Sequence, residues 1–435
     1  MKFLEGLGVN TVWIILAAGI AMVVVVFSLF DFTSSRVVGY MIATAPVWLP
    51  LVTFKLFYDQ WLEYVQKDYD IKQGRITLEI RLPQDVFKSP LAMEQLFSQL
   101  WQTASPDNHV QTYWDGKNPP TYSLELVSRN GAVSFYINTP IKKFKNLIES
   151  QLYAQYPGVE VQPLSIDYTA EIPWQPERYQ YFSFHFGLKK ADAYPIKTYV
   201  DYGLDKFPKE EEKTDPMMSV IEFLGSLGQG EHMWVQILMK ANYEKNFKSG
   251  ALFTQPDWKA AAQAEIDKIL EVAQKRTGAE QKNMMQLTDL EKDTVNAIQR
   301  SLGKFAFNTG IRAVYIAEKD KYQPGERLPG ILSSWTTFTD INRNAIGFKW
   351  RTDFDWNWWQ DPSGKIREDL KKIELKYYKL RKYYSHVLSD EMKVMTTEEL
   401  ATIYHLPGRV ALTPSLARIP SKRAEPPANL PIVSN

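Results

Sequence analysis

Aromatic rings and cations lie close together in one stretch of the sequence, from residue 343 to residue 359. The rings are Trp350, Phe354, Trp356, Trp358 and Trp359, and the nearby cations are Arg343, Lys349 and Arg351. Single-stranded nucleic acid is bound by rings that stack on bases and by cations that neutralise phosphates, so Arg343, Trp350, Arg351, Trp358 and Trp359 are candidate contacts for nucleic acid or a partner. The alternative is that the tryptophans pack one domain on another, because aromatic residues dominate interface cores.

The next segment, residues 363–384, has the composition of one strongly charged helix. It carries three acidic residues and eight basic ones, which are Lys365, Arg367, Lys371, Lys372, Lys376, Lys379, Arg381 and Lys382. Positive charge of this density attracts DNA and anionic lipid headgroups. The alternative is the solvated side of a helix that packs through its apolar residues, which are Ile366, Leu370, Ile373, Tyr377 and Leu380.

Motifs for catalysis and cofactor binding are missing from the sequence. We find no G-x-x-x-x-G-K-[ST], no G-x-S-x-G, no H-E-x-x-H and no EF-hand loop. There is no cysteine, which excludes a thiol nucleophile, an iron–sulfur cluster and a cysteine zinc site. The five histidines do not occur at metal-ligand spacing. We therefore predict that the protein is not an enzyme and has no cofactor and no metal.

The composition is that of a globular protein whose charges nearly cancel. The 435 residues are 45% hydrophobic and 23% charged, with 51 Lys+Arg against 50 Asp+Glu. A dedicated nucleic-acid binder usually has a clear excess of basic residues. Any nucleic-acid site in this chain must therefore be a local patch.

Two apolar runs near the N-terminus predict a membrane anchor. Residues 11–30 contain no charge and as a helix would span roughly 30 Å, the thickness of a hydrocarbon core. Residues 37–54 are also uncharged and favour a second span, with an interfacial or buried helix as the alternative. A hairpin of two transmembrane helices, followed by Lys55, Lys67, Lys72 and Arg75, puts the anchor in the cell (inner) membrane and the bulk of the chain in the cytoplasm.

The periodicity of the remaining chain predicts the order β-α-β-β-α-β twice, which is typical of the ferredoxin-like fold. The first unit covers residues 59–164 and includes a hairpin turn at Asn130-Gly131. After a linker at 165–179, the second unit covers residues 180–355, with a helical insertion at 257–303. The predicted fold class is therefore α+β: a transmembrane helical hairpin within residues 1–58, two ferredoxin-like domains, C-terminal helices at 356–410, and an extended proline-rich tail at 411–435.

Six phrases of the sequence together resemble one known group of proteins. They are KSPLAMEQLFSQL (88–100), YSLELVSRNGAVSFYINTP (122–140), IESQLYAQYPGVEV (148–161), GEHMWVQILMKA (230–241), TTEELATIYHLPG (396–408) and SKRAEPPANLP (421–431). The chain resembles the membrane-anchored, non-catalytic N-terminal region of bacterial type IV secretion and conjugation ATPases of the HerA/FtsK-like coupling-protein superfamily. In those ATPases the last two phrases lead into a motor domain with a Walker A loop. That loop is missing here, so the resemblance implies anchoring and assembly without ATPase activity.

The residues and the resemblance together predict a membrane-anchored, non-catalytic component of a type IV secretion or conjugation-like machine that transfers DNA or protein. The expected partners are a HerA/FtsK-like ATPase, the lipid bilayer, single-stranded DNA and a second copy of the chain in a homo-oligomer. Two alternatives stay open. One is a single-stranded DNA-binding membrane protein that uses helix 363–384 and the nearby tryptophans, and the other is a membrane-tethered scaffold with no transport role.

Overall fold

The strands of the computed structural model form one continuous, mostly antiparallel sheet. The structure describes residues 34–83, 88–206, 214–277, 287–352, 359–383, 392–408 and 418–419. The described strands are β1 (Arg75–Pro83), β2 (Thr121–Arg129), β3 (Ala132–Pro140), β4 (Glu160–Pro163), β5 (Tyr179–Leu188), β6 (Glu231–Ala241), β7 (Ala306–Glu318), β8 (Ile346–Arg351), β9 (Lys393–Thr396) and β10 (Arg418–Ile419). Their order is β10-β1-β3-β2-β6-β7-β5-β8, with β4 also paired to β1 and β9 to β7.

Helices cover both faces of this sheet. The described α-helices are α1 (Ser34–Gln73), α2 (Leu91–Leu100), α3 (His109–Tyr113), α4 (Ile141–Gln155), α5 (Met217–Gly225), α6 (Trp258–Thr277), α7 (Asp289–Leu302), α8 (Pro324–Trp335), α9 (Lys365–Lys379) and α10 (Thr397–Ile403). Helices α2, α4, α5, α8 and α10 supply the main apolar core, which includes Leu124 and Leu126 of β2. Helix α9 packs through Leu375 and Tyr378 in a second, smaller core with Val127 and Trp234.

Alternation along the strands gives the two faces different chemistry. Successive side chains of a strand point to opposite faces. Leu124 and Leu126 therefore lie on what we call the helical face, whereas Ser123 and Glu125 lie on the opposite, polar face, which α9 covers. Both Ser123 and Glu125 are fully buried, so the polar face has to be satisfied from within the protein.

The middle of the sheet is a seam between β2 and β6. Nine residue pairs are in register there, from Thr121 opposite Lys240 to Arg129 opposite His232. The β2–β3 hairpin closes beside this seam through Asn130 and Gly131, whose φ angles are 55° and 83°. A side chain at Gly131 would place its Cβ 2.6 Å from the carbonyl oxygen of Leu227, so both the conformation and the space require glycine.

The predicted fold class is wrong. The structure is α+β, but the described strands form one sheet in place of two ferredoxin-like domains. The physical reason is the seam: an edge strand exposes unpaired N–H and C=O groups, and β2 satisfies its outer edge by pairing with β6. The apolar pattern of a strand indicates its buried face but does not indicate whether its edge is paired.

The predicted transmembrane hairpin is likewise not found. Residues 37–54 lie within α1, a helix of 40 residues that continues to Gln73 with Pro46 and Pro50 inside it. None of the described helices combines the length and apolar character needed to cross a bilayer. The other predicted span, residues 11–30, lies outside the described residues. Near its C-terminal end α1 packs on α3, where Trp61 Nε1 donates to the carbonyl oxygen of Tyr113 at 2.6 Å.

Candidate functional site

A row of polar side chains crosses the polar face of the sheet beneath α9. Glu125 of β2 lies opposite Gln236 of β6, which lies opposite Arg312 of β7. Arg312 in turn lies opposite His185 of β5, and His185 opposite Trp350 of β8. All five side chains are buried. Burying charged and polar groups is costly unless each one is hydrogen-bonded, so the partners of the row decide what it can do.

Glu125 is the most thoroughly bonded member of the row. Its Oε1 accepts from Ser123 Oγ at 2.5 Å, Gln236 Nε2 at 3.0 Å and Arg381 Nε at 3.0 Å. Its Oε2 accepts from Tyr168 OH at 2.7 Å and Arg381 Nη2 at 3.2 Å. Burial and the charge of Glu125 raise the pKa of Tyr168 well above its usual value, so this phenol stays a neutral donor. A carboxylate engaged at both oxygens is poorly placed to act as a base.

The same row of side chains also binds the C-terminal end of helix α9. The last carbonyl groups of a helix have no partner within the helix. Arg312 Nη2 donates to the carbonyl oxygen of Tyr377 at 2.7 Å, and Gln236 Nε2 donates to that of Tyr378 at 3.2 Å. Arg381 then turns the chain away with a φ of 51°. Helix α9 is therefore bound to the sheet by its own C-terminal end.

The structure places the eight predicted cations of residues 363–384 in three settings. Four have described partners: Arg367 lies 3.5 Å from Asp361, Lys371 lies 3.1 Å from Glu368, Lys379 Nζ donates to the carbonyl oxygen of Ile172 at 2.9 Å, and Arg381 binds Glu125. Lys382 is half-buried, and Lys365, Lys372 and Lys376 are exposed. The exposed lysines are spaced seven and four residues apart, which puts them on one side of the helix.

The predicted residues between 343 and 359 do not share one surface. Arg343 is buried and binds Asp201 at 2.8 Å and Asp340 at 2.6 Å. It lines a cleft of about 440 Å³ together with Arg300 and Asp293. None of the residues that line this cleft belongs to α9.

The predicted aromatic contacts are similarly divided. Trp350 is buried on β8, with its ring 5.1 Å from that of His185 in an edge-on arrangement. Arg351 is half-buried opposite Phe184, and Trp359 is 62% exposed. Trp358 lies outside the described residues, as do Phe354 and Trp356.

A second cleft, which the sequence analysis missed, opens on the polar face beside the C-terminal end of α9. It has a volume of about 350 Å³, and its polar lining residues are Arg75, Thr77, Asn138, Ser165, Asp167, Lys379 and Arg381. Burial, and next the positive charge of Arg381, lower the pKa of Arg75 to about 10. The buried polar row had a signal in the sequence, a charged residue within an otherwise uncharged strand, such as Glu125 in YSLELVS or Arg312 in GIRAVYI.

The segment from residue 393 to residue 408, which we call the clamp, is bound into the body of the protein. Strand β9 pairs with β7, with Met395 opposite Phe307, and every residue from 395 to 407 is buried. At the start of α10, Thr396 and Glu399 form a reciprocal capping box, the arrangement that satisfies two free amides of a helix N-terminus.

Polar contacts from three other segments hold the clamp. Glu398 Oε1 accepts from Thr198 Oγ1 at 2.6 Å and lies 2.9 Å from Arg300 Nη2. Glu399 Oε1 accepts from the backbone amide of Ile196 at 3.1 Å. At the other end, His405 Nε2 lies 3.0 Å from Asp215 Oδ1. The clamp is thus fixed at both ends by charged groups inside the protein.

Comparisons with known proteins identify a family but no function. Residues 77–418 match the model of a family described as a domain of unknown function, DUF8128. No curated protein matches the sequence. Among the residues that the structure describes, no group of three or more His, Cys, Asp or Glu side chains is arranged to hold a metal ion.

The Glu125–Arg381 pair gives a first prediction. Glu125→Gln leaves the buried Arg381 without its main counter-charge, and we expect the free energy of unfolding to fall by about 3–5 kcal/mol. Replacing both residues, as Glu125→Leu with Arg381→Met, should cost less than the single change, because the buried charge is removed, and Asp167, the other carboxylate at Arg381, is 30% exposed to water. Urea denaturation of the three proteins measures this, and a double variant less stable than Glu125→Gln would contradict it.

The His405–Asp215 pair gives a prediction about pH. Burial disfavours the charged imidazolium, but the charge and hydrogen bond of Asp215 outweigh it and raise the pKa of His405. The pair should therefore add its full stability below about pH 6.5, the usual pKa of histidine, and lose it as the pH rises through the raised pKa of His405.

Unfolding free energies of the wild type and of His405→Asn, measured across this range, test the pH prediction. The difference between them should shrink as the pH rises. Asp215→Asn should remove the same pH dependence, because the partner that raises the pKa is gone. A difference that stays constant from acid to alkaline pH would show that His405 is not charged in the folded state.

Proposed function

We propose a function for this chain, which belongs to the DUF8128 family, a domain of unknown function: it is a non-catalytic assembly component of a type IV secretion or conjugation-like machine. Its partner in this proposal is a HerA/FtsK-like ATPase, the class that the sequence resembles. The single observation that carries the proposal is the clamp. The phrase TTEELATIYHLPG, which leads into the motor domain of such ATPases, is buried here from Thr396 to Pro407.

A buried clamp suits a component that bears load. Thirteen consecutive buried residues, from 395 to 407, cannot slide without breaking the pairing of β9 with β7 and the ion pairs of α10. A motor that holds the chain beyond the clamp would therefore pull on the whole sheet and not on a loose linker. The sheet distributes such a force through hydrogen bonds between neighbouring strands.

The proposal includes a location at the cell membrane, with the bulk of the chain on the cytoplasmic side. The uncharged residues 11–30 support it. So do large apolar side chains that α1 leaves exposed, among them Val47, Leu51 and Phe57, which are 70%, 66% and 64% exposed. Exposed apolar patches of this kind often mark contacts with a membrane or a partner.

Co-purification tests the assembly role. Tagged full-length protein, extracted with a mild detergent from its native cells, should recover an ATPase with a Walker A motif of the HerA/FtsK-like class. A weakened clamp, made by Glu398→Gln with Thr402→Val, should recover less of it, because these changes remove contacts to Arg300 and to the amide of Tyr199.

The matched control for co-purification is Lys372→Gln, an exposed change on α9 that should leave recovery unaltered. Circular dichroism of each purified variant establishes that it is folded. Repeated purification of the wild type with no such ATPase would contradict the proposed function.

We propose single-stranded DNA binding as a second candidate function. Its support is the row of exposed lysines on α9, Lys365, Lys372 and Lys376, with the exposed ring of Trp359 before the helix begins. Exposed cations with a stacking ring are what a sequence-independent single-strand site needs. Arg381 and Trp350 are buried against partners inside the protein, so neither residue belongs to such a surface.

Salt dependence tests this second candidate. Each phosphate contact contributes about 0.7 to the slope of log K against log salt for single strands. Lys372→Gln with Lys376→Gln should therefore flatten the slope by about 1.4 if both lysines touch phosphates. The control is Lys259→Gln with Lys275→Gln, which removes the same charge from exposed positions on α6. Equal slopes for the α9 variant and the wild type would dismiss the site.

A further inference from the structure

The cleft beside the C-terminal end of α9 holds more positive than negative charge. Arg381 is balanced, because it binds Glu125 at 3.0 Å and Asp167 at 2.7 Å. The remaining cations at or near the cleft are Arg75, Lys240, Lys379 and Lys382. The negative charge of Asp70 favours the charged forms of Arg75, Lys240 and Lys382, and that of Asp167 favours charged Lys379. From α1, Glu63 and Lys67 also act on Lys382, but they pair with each other.

Arg75 presents its guanidinium group without a carboxylate bound to it. Its Nε donates to Asn138 Oδ1 and its Nη2 to the carbonyl oxygen of Thr121, both at 2.7 Å. These two neutral oxygens fix the plane of the group. Among the described residues, no hydrogen bond involves the other terminal nitrogen, Nη1. A guanidinium held in this way is prepared to bind an oxyanion.

The walls of the cleft carry further groups suited to an oxyanion. Lys379 reaches it from the last turn of α9, and its Nζ is held by the carbonyl oxygen of Ile172 at 2.9 Å. Lys240 does not line the cleft itself; it lies nearby at the end of β6, in register with Thr121, whose carbonyl oxygen Arg75 binds. Ser165 is exposed at the cleft. Cations of β1 and α9 therefore line the cleft, and Lys240 of β6 adds positive charge near it.

We propose that this cleft is a binding site for a phosphate group, either as inorganic phosphate or as a phosphate monoester. A tetrahedral, doubly charged oxyanion takes hydrogen bonds from several directions, which matches a guanidinium and ammonium groups that approach from different elements. The volume of about 350 Å³ leaves room for the group to which the phosphate is esterified. This proposal goes beyond the assembly role and does not rest on it.

The electrostatics of the lysines agree with this assignment. Burial, followed by the charge of Lys245, lowers the pKa of Lys240 to about 8. Burial also lowers the pKa values of Lys379 and Lys382. A bound anion stabilises the charged form of lysines for which burial disfavours that form. Phosphate should therefore bind more tightly at neutral pH than at a pH above the pKa values of these lysines.

Isothermal titration of the full chain with inorganic phosphate, in a buffer of constant ionic strength, tests the site. We expect saturable binding. Lys379→Gln with Lys382→Gln should weaken it at least about tenfold, because one charged donor of the cleft and one nearby positive charge are lost. Arg75→Lys keeps the positive charge but replaces the planar guanidinium, which can donate two parallel hydrogen bonds, with a single ammonium group. It should therefore also weaken phosphate binding. Phosphate should raise the melting temperature of the wild type more than that of the variants.

The control is Lys259→Gln with Lys275→Gln, which removes the same charge from exposed positions on α6 and should leave phosphate affinity unchanged. If phosphate binding were weakened equally in this control, the effect would be one of net charge alone, and the proposed site would be wrong. So would the absence of saturable binding to the wild type. Circular dichroism and the melting temperature in phosphate-free buffer show that each variant is folded.

Two further titrations identify the source of the phosphate. Glycerol 3-phosphate that competes with inorganic phosphate would indicate a soluble monoester. Phosphatidylcholine vesicles that bind only when they contain phosphatidic acid, and release the protein when inorganic phosphate is added, would indicate a lipid headgroup. Either result supports the site, provided that Lys379→Gln with Lys382→Gln weakens it.

Discussion

The buried pairing of Glu125 with Arg381 is the interaction on which the polar face depends. Glu125 stands on β2 at the seam of the sheet, while Arg381 belongs to the residues that follow α9, 256 positions later in the chain. Ion pairs of this kind are seldom net contributors to stability, since desolvation offsets their attraction. What they provide is specificity: a carboxylate in this position permits only an arrangement that brings Arg381, Tyr168 and Gln236 to it together.

The chemistry of the two clefts and of the clamp depends on whether each charged side chain there has a partner of opposite charge. Arg343 and Glu398 lie among opposite charges at short distance, which makes their surroundings rigid and nearly neutral. The cleft at Arg75 differs, because Glu125 and Asp167 are already engaged with Arg381, which leaves Asp70 to act on Arg75, Lys240 and Lys382. A protein that neutralises most of its buried charges but leaves cations together in one place has a surplus there that a ligand can neutralise.

Local elements could be predicted from the sequence, but their assembly could not. The Asn130-Gly131 turn and the strands beside it are found as predicted, because turn chemistry and alternation act within a few residues. The charged helix at 363–384 is also found, as Lys365–Lys379. The β2–β6 seam was missed, because unpaired edges carry no sequence pattern, and Arg381 was assigned to the surface, because composition does not indicate that Glu125 is opposite it.

Helix α1 is much longer than the other described helices. Its forty residues extend roughly 60 Å, and the first buried side chain among those described is Tyr58. Pro46 and Pro50 lie in the turns before Tyr58, and each removes one hydrogen bond of the helix, so the helix can bend there. A group bound near the start of α1 is therefore held away from the sheet by a distance that the helix sets and that bending at the two prolines can change.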